Sequence, residues 1–191
     1  ILLFGIALIY GATGSFGVSG IKNVMQANAM TSPLLLYVGM LMLLIGMLFK
    51  VSAAPFHFWT PDVYDGAPTL FTAYMSTVVK TAGFAALFRL LSVSFSGAYD
   101  FWWTILAVLT TLTLVAGNVT AVYQNSFKRM MAYSSISHAG YLLIGLAALS
   151  QQTKQALVFY SLAYSLATIS AFGVLLLVAK ESINDPVPAT D

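Results

Sequence analysis

Apolar residues follow one another in this chain in unbroken runs, without the alternation of a half-buried strand. Leu34 to Phe49 is the clearest, with only Gly39 and Gly46 breaking a series of aliphatic and aromatic side chains. Strands of a membrane barrel would show period-2 alternation over segments of ~10 residues, so the pattern predicts helices. Crossing the hydrocarbon takes about 20 apolar residues in a helix. Six stretches qualify: 1–12 (partial), 33–59, 67–91, 101–123, 127–149 and 153–179. The connections carry turn residues. Gly11 to Gly17 opens the longest, Thr60-Pro61-Asp62 to Gly66 forms another, and Ser94 to Asp100 a third. Gln124-Asn125-Ser126 and Ser150-Gln151-Gln152 read as tight turns. None is long enough to hold a soluble domain. The expected fold is an all-α membrane protein, a polytopic transmembrane helix bundle.

Composition strengthens this picture. Of 191 residues, 59% are hydrophobic and 7% charged, against roughly 25% charged in a soluble domain. So little charge could not cover a water-facing surface, and lipid is the expected solvent. The net charge of +2 is not gathered into a basic tract, which argues against nucleic acid as a partner. Cysteine is absent, so disulfides and iron–sulfur ligation are not expected on this stretch. Ile1 lies inside an apolar run without an initiator Met or a basic n-region, and reads as the interior of a longer protein rather than a signal peptide. The polar end from Asn184 to Asp191, with two prolines, reads as a loop. Lys22, Arg89 and Lys154 fall on one side of the bundle and Lys128, Arg129 and Lys180 on the other. The adjacent pair Lys128-Arg129 at a span end favours that side as cytoplasmic.

Two charges fall where charge is costly. Lys80 is thirteen residues into the third span, about 20 Å along a helix. At that depth a Lys costs about 2.5–3.5 kcal/mol on insertion scales. Thr69, Thr72, Ser76, Thr77 and Thr81 recur around it at helical spacing as a hydroxyl stripe able to hold a file of water. The bland alternative, a lysine snorkelling to the interface, suits span ends better than a span centre. Lys50 closes the uncharged run that starts at Pro33, and Pro55 follows five residues later. Proline lacks the N–H and its ring clashes with the carbonyl four residues back, at Val51, so the helix should break beside Lys50. A cation at a helix C-terminus is favoured, and unwound backbone at membrane depth belongs inside protein or along a water-filled cavity. An ordinary interfacial lysine ending a helix is the alternative.

His138 lies ten residues beyond Lys128 and shares a face with Ser134, Tyr141 and Gly145. An imidazole takes and releases protons near neutral pH with little tuning, although a lone buried His is often a satisfied core residue. His57, with Trp59, Asp62 and Asp65 nearby, matches no metal spacing and reads as an interfacial residue; the two aspartates are expected to cap the third helix. Gly11, Gly14 and Gly17 lack the strand–turn–helix setting of a nucleotide loop. Tyr160 and Tyr164 among the small residues Ser161, Ala163, Ser165 and Ala167 read as packing. Lysines, a histidine and hydroxyls joined by water would form a proton relay, since removing an amine from water disfavours its charged form. No intramembrane carboxylate on this chain pairs with either lysine, so a partner charge would come from elsewhere.

Three runs carry a family resemblance. FKVSAAPFHFWTPDVYDGAPT (Phe49–Thr69), STVVKTAGFAALFRL (Ser76–Leu90) and GNVTAVYQNSFKRMMAYSSISHAGYLLIG (Gly117–Gly145) resemble, in order and spacing, the antiporter-like membrane subunits of respiratory NADH:quinone oxidoreductase, complex I, in their subunit N form. Subunits L and M and the multisubunit cation/proton antiporters share the layout with less similar runs. The resemblance implies two inverted five-helix repeats, each with a broken helix, of which this chain would hold three helices from each.

It further implies a proton-translocating subunit in which Lys50, Lys80 and His138 carry the relay. Pro55 would break the helix, and Ser76, Thr77, Thr81, Ser134, Ser137 and Tyr141 would support the relay. The glutamate partner of the first lysine and the lysine of the second broken helix would lie outside these residues. NADH, FMN, iron–sulfur clusters and quinone would bind other subunits, with no cofactor on this chain. The partners would be other membrane subunits, lipid and protons. The expected location is the bacterial inner (plasma) membrane, ahead of an organellar inner membrane. A cation/proton antiporter subunit and a passive structural subunit are the rival expectations.

Overall fold

The computed structural model describes residues 1–184, all of whose regular structure is helical. The polar stretch 185–191, expected as a loop, lies outside the described residues. Eight helices follow in order: α1 (Leu2–Thr13), α2 (Val18–Gln26), α3 (Pro33–Val51), α4 (Trp59–Gly66), α5 (Thr69–Ser94), α6 (Tyr99–Val122), α7 (Phe127–Ala148) and α8 (Gln151–Asn184).

Local chemistry sets the boundaries. Ser32 caps α3, its Oγ accepting from Leu35 N, with Pro33 in the first turn where its missing N–H costs nothing. Ser126 caps α7 in the same way through Arg129 N. Gly14 ends α1 in the left-handed region at φ 68, its N–H returning to Tyr10 O. Beyond it α2 sets off at 47° to α1, where the sequence was read as a loop. The small Gly20 faces Ser15 there, and Ile21 is the buried residue that gives the short helix a reason to dock.

Four helices are long and apolar enough to cross a membrane (α3, α5, the stretch Ser96–Val122 that contains α6, and α8), or five if α1 and α2 form one bent span. The sequence reading expected six. Helix α7, the expected fifth span, is 22 residues long but does not qualify. Its Lys128, Arg129, the three serines Ser134, Ser135 and Ser137, and His138 lower its hydropathy. Those polar groups are tolerable because α7 lies inside the bundle, with Ser135, Ser137 and Gly140 buried. The chain is thus an all-helical membrane protein, with apolar side chains such as Phe159, Leu162, Leu166 and Ile169 outermost on α8.

Close approaches between backbones organise the packing. A Cβ on Gly5 of α1 would lie 2.6 Å from Leu43 N and 2.8 Å from Gly39 O, so α1 and α3 meet backbone to backbone. The apolar core joins Leu36, Met40, Leu44 and Leu48 of α3 to Leu87 and Leu91 of α5, Trp102 of α6 and Leu143 of α7. The Trp102 indole N–H, buried with the ring, donates to Phe95 O at 3.0 Å.

Candidate functional site

The break in the apolar run falls beside Lys50. Helix α3 stops at Val51, Ser52 takes φ 64, and the chain passes through a cis Ala54–Pro55 bond before α4 begins at Trp59. The sequence reading carried the span on to residue 59 and read 60–66 as a loop; residues 59–66 are helical instead. The freed backbone groups find partners, as buried polar groups must. Ala54 N donates to Thr113 Oγ1 of α6 at 2.9 Å, and Ala53 N to Leu48 O at 2.9 Å. Trp59 Nε1 donates to Phe49 O at 3.0 Å, and Thr60 Oγ1 to Ser52 Oγ at 2.8 Å. Pro55 itself is exposed at the apex.

Lys50 occupies the last turn of α3, where its charge faces the helix C-terminus. Its side chain is exposed on this chain and lines an open cleft of about 390 Å³ with Ser52, Trp59 and Tyr64 of the break and Met75 and Val79 of α5. Lys80 is placed differently. It is buried at 4% exposure, directly after a π-helical turn at Met75–Val79 that re-aims the following side chains. Its ammonium donates to Ser135 O of α7 at 2.6 Å and to Ser135 Oγ.

Ser135 joins the two sides of the site, whereas the sequence points to its neighbours Ser134 and Ser137. Its hydroxyl also lies 3.5 Å from Tyr64 OH of α4. Tyr64 lines the Lys50 cleft, so one side chain touches both lysine environments. The stripe on α5 is only partly a stripe. Thr72, Ser76 and Thr77 are buried, and each donates to backbone: Thr72 to Tyr64 O at 3.1 Å, Ser76 and Thr77 to Ala73 O at 2.9 and 2.7 Å. Their lone pairs stay free to accept. Thr81 turns to the other side, into a groove with Phe84, Phe88 and Ser161.

His138 sits about one turn beyond Ser135 on α7. Its Nδ1 lies 2.6 Å from Tyr160 OH of α8. The Tyr164 ring is 4.7 Å away and the Tyr141 ring 5.8 Å. The reading of Tyr160 and Tyr164 as packing alone therefore needs correction for Tyr160. Four-residue spacing put both tyrosines on one face of α8; what it could not show was that His138 stands opposite. Ser134 lines an open-sided cavity of about 430 Å³ with His138, Tyr160, Tyr164 and Thr168. Ser137 points away, against α6: a Cβ on Gly117 would lie 2.6 Å from its Oγ, which is buried without a partner among the described residues. Tyr141 is 46% exposed.

The acidic residues do not cap α5, which starts after Pro68 with no side-chain cap. Instead they bind α4 to the start of α7. Asp62 pairs with Arg129 at 2.9 Å, Asp65 accepts from Ser126 Oγ at 2.8 Å, and Lys128 Nζ donates to Ala67 O at 2.9 Å. The loop expected at 60–66 is thus a fastened helix. His57 lies in the break with its Nδ1 buried and unpartnered among the described residues.

A helical bundle with four spans of membrane length, a broken helix and a buried lysine defines a polytopic membrane protein. The family model described as "NADH:quinone oxidoreductase/Mrp antiporter, TM" matches residues 1–185, and the chain belongs to that family. It is 48% identical over 180 residues to NADH-quinone oxidoreductase subunit N of Trichlorobacter lovleyi, covering 94% of this chain and 37% of that protein. A chain of respiratory complex I from Thermus thermophilus matches with a TM-score of 0.72 at 43% identity, over 91% of this chain and 36% of that one. A chain of the Mrp complex from Dietzia sp. DQ12-45-1b superposes with a TM-score of 0.79 at 24% identity, over 90% of this chain and 31% of that one, a likeness of fold alone. The chain therefore spans little more than a third of the curated relatives it matches.

Proposed function

We propose that this chain is part of a proton-translocating membrane subunit of NADH:quinone oxidoreductase, a multi-pass protein of the bacterial inner membrane. Its protons would move through Lys50, Lys80 and His138, coupled to electron transfer from NADH to quinone on other subunits. FMN, the iron–sulfur clusters, NADH and quinone would be held by those subunits. The two inverted five-helix repeats and the relay belong to this reading.

The observation that carries it is Lys80. An amine shut away from water is costly to keep charged; here it is held by one serine's hydroxyl and carbonyl, with no carboxylate bonded to it among the described residues. A purely structural lysine would ordinarily be paired or would reach the surface. Tyr64 and Ser135 supply a hydroxyl route from the Lys50 cleft towards Lys80, and about one turn of α7 separates Ser135 from His138.

The test is Lys80→Ala in the intact complex, in inverted membrane vesicles with NADH-driven proton uptake read by fluorescence quenching. The relay reading expects pumping to fall by an order of magnitude or more. Unchanged pumping would support a passive structural subunit. Ion-gradient-driven cation exchange independent of NADH and quinone would favour the antiporter reading.

A further inference from the structure

The two tyrosines of α8 face His138 across the helix interface. Tyr160 OH stands 2.6 Å from His138 Nδ1, and both line the cavity of about 430 Å³ that Ser134, Tyr164 and Thr168 also reach. The cavity is open-sided, with Met131, Ala163, Ala167 and Ala171 completing its lining; its volume admits several waters, at about 30 Å³ each, and its hydroxyls offer them partners. We infer that Tyr160 is a relay-positioning residue: it fixes the tautomer of His138 and connects its Nδ1 to the cavity. This inference rests on the relay reading above.

The chemistry follows from the donor inventory. A phenol donates one proton and accepts through its oxygen; a neutral imidazole carries its proton on one nitrogen and accepts on the other. With Tyr160 donating to Nδ1, neutral His138 carries its proton on Nε2. A second proton must then arrive at Nδ1, whose lone pair faces the phenol. A hydronium ion in the cavity gives a proton to the phenolic oxygen as the phenol's own proton passes to Nδ1. Two O–H bonds break, the hydronium's and the phenol's own, while one O–H and one N–H bond form, leaving water, an intact phenol and an imidazolium. The contact survives the change: the imidazolium Nδ1–H now donates to the phenolic oxygen, and the new hydroxyl proton faces the cavity. The flanking rings of Tyr141 and Tyr164, at 5.8 and 4.7 Å, hold the imidazole against rotation.

The experiment is Tyr160→Phe in the intact complex, which keeps the ring and removes only the hydroxyl. Electron transfer from NADH reports that the variant complex has assembled. Pumping per electron is expected to fall at least severalfold, and His138→Gln/Tyr160→Phe should pump no worse than His138→Gln alone. Infrared spectra with isotope-labelled histidine supply a readout that packing would not move: the His138 ring band, identified by its absence in His138→Gln, should shift in Tyr160→Phe. Full pumping in Tyr160→Phe, additive losses in the double variant, or an unmoved ring band would each overturn the inference. If Lys80→Ala abolishes pumping while any of these occurs, the relay stands and Tyr160 falls. If Lys80→Ala pumps normally, the relay itself fails, and Tyr160 with it.

Discussion

Lys80 on α5 and Ser135 on α7 are joined twice, the ammonium donating to both the carbonyl and the hydroxyl of a residue 55 positions away. Both halves of the contact come from one residue, so a single substitution separates them. Ser135→Ala removes the hydroxyl and leaves the carbonyl. A hydrogen bond to a charged group contributes about 1.5–3 kcal/mol. NADH-driven pumping should fall severalfold if that contact positions the amine, while Ser135→Thr, which keeps a hydroxyl, recovers much of the loss. Equal pumping in the alanine and threonine variants would show that the hydroxyl plays no part.

Replacing Lys80 by arginine asks a different question. The guanidinium keeps the charge and offers more donors, but it does not lose its proton under physiological conditions. A lysine that serves only as a fixed charge should be replaced well by arginine. One that loads and discharges should not, and Lys80→Arg is expected to lose pumping as fully as Lys80→Ala. Fluorescence-quench assays on matched vesicles compare the two.

How much of this was legible beforehand depended on whether a feature was local. The end of α3 beside Lys50 followed from one proline, because Pro55 acts on its own backbone within a turn. Counting along one helix put Lys80 far from both ends of its span, and the residue is buried within the bundle. Tyr160 and Ser135 were missed for a single reason: their importance lies in what another helix brings opposite them. Ser134, Ser135 and Ser137 look alike in the sequence, and only packing turns the second toward Lys80 while the third meets Gly117. Helices α2 and α4 were read as loops because both are short and rich in turn-forming residues. Their order comes from tertiary fastening: Ile21 buried under α2, and Asp62 and Asp65 bound to α7.

That fastening separates into strong and weak parts. The Arg129–Asp62 pair is exposed, Asp62 at 74%, and exposed pairs contribute about 0–1 kcal/mol. Ser126 both caps α7 and donates to Asp65, and losing such a cap costs about 1 kcal/mol before the second bond is counted. Ser126→Ala should lower the thermal inactivation temperature of the detergent-solubilised complex more than Arg129→Gln does. The reverse order would show that the ion pair, not the cap, holds α4 in place.

Thr113 probes the break itself. Its hydroxyl accepts from Ala54 N and donates to Leu109 O at 2.6 Å. Thr113→Val keeps the shape but leaves a buried N–H without a partner, at a cost of about 1–3 kcal/mol. The unwound segment beside Lys50 should loosen, which hydrogen–deuterium exchange of the peptide spanning Ser52 to Phe58 would register as faster labelling. Unchanged exchange would mean that Ala54 N has found another acceptor.

Gly117 sets the distance between α6 and α7, and with it the position of the whole Ser135–His138 turn. A Cβ there would meet Ser137 Oγ at 2.6 Å, Ser137 N at 2.7 Å and Ser137 Cα at 3.1 Å. The hydroxyl can rotate away; the two backbone atoms cannot, so even alanine must push the helices apart. Overpacking of this kind costs about 1–3 kcal/mol, and the displacement falls on the helix that carries both Ser135 and His138. Gly117→Ala should lower pumping together with thermal stability, and Gly117→Val should prevent stable assembly. Ser137→Ala in the Gly117→Ala background is the control: it removes the hydroxyl but not the backbone contact, so it should restore little. Full recovery in that double variant would show that the hydroxyl, and not the helix spacing, is what Gly117 accommodates.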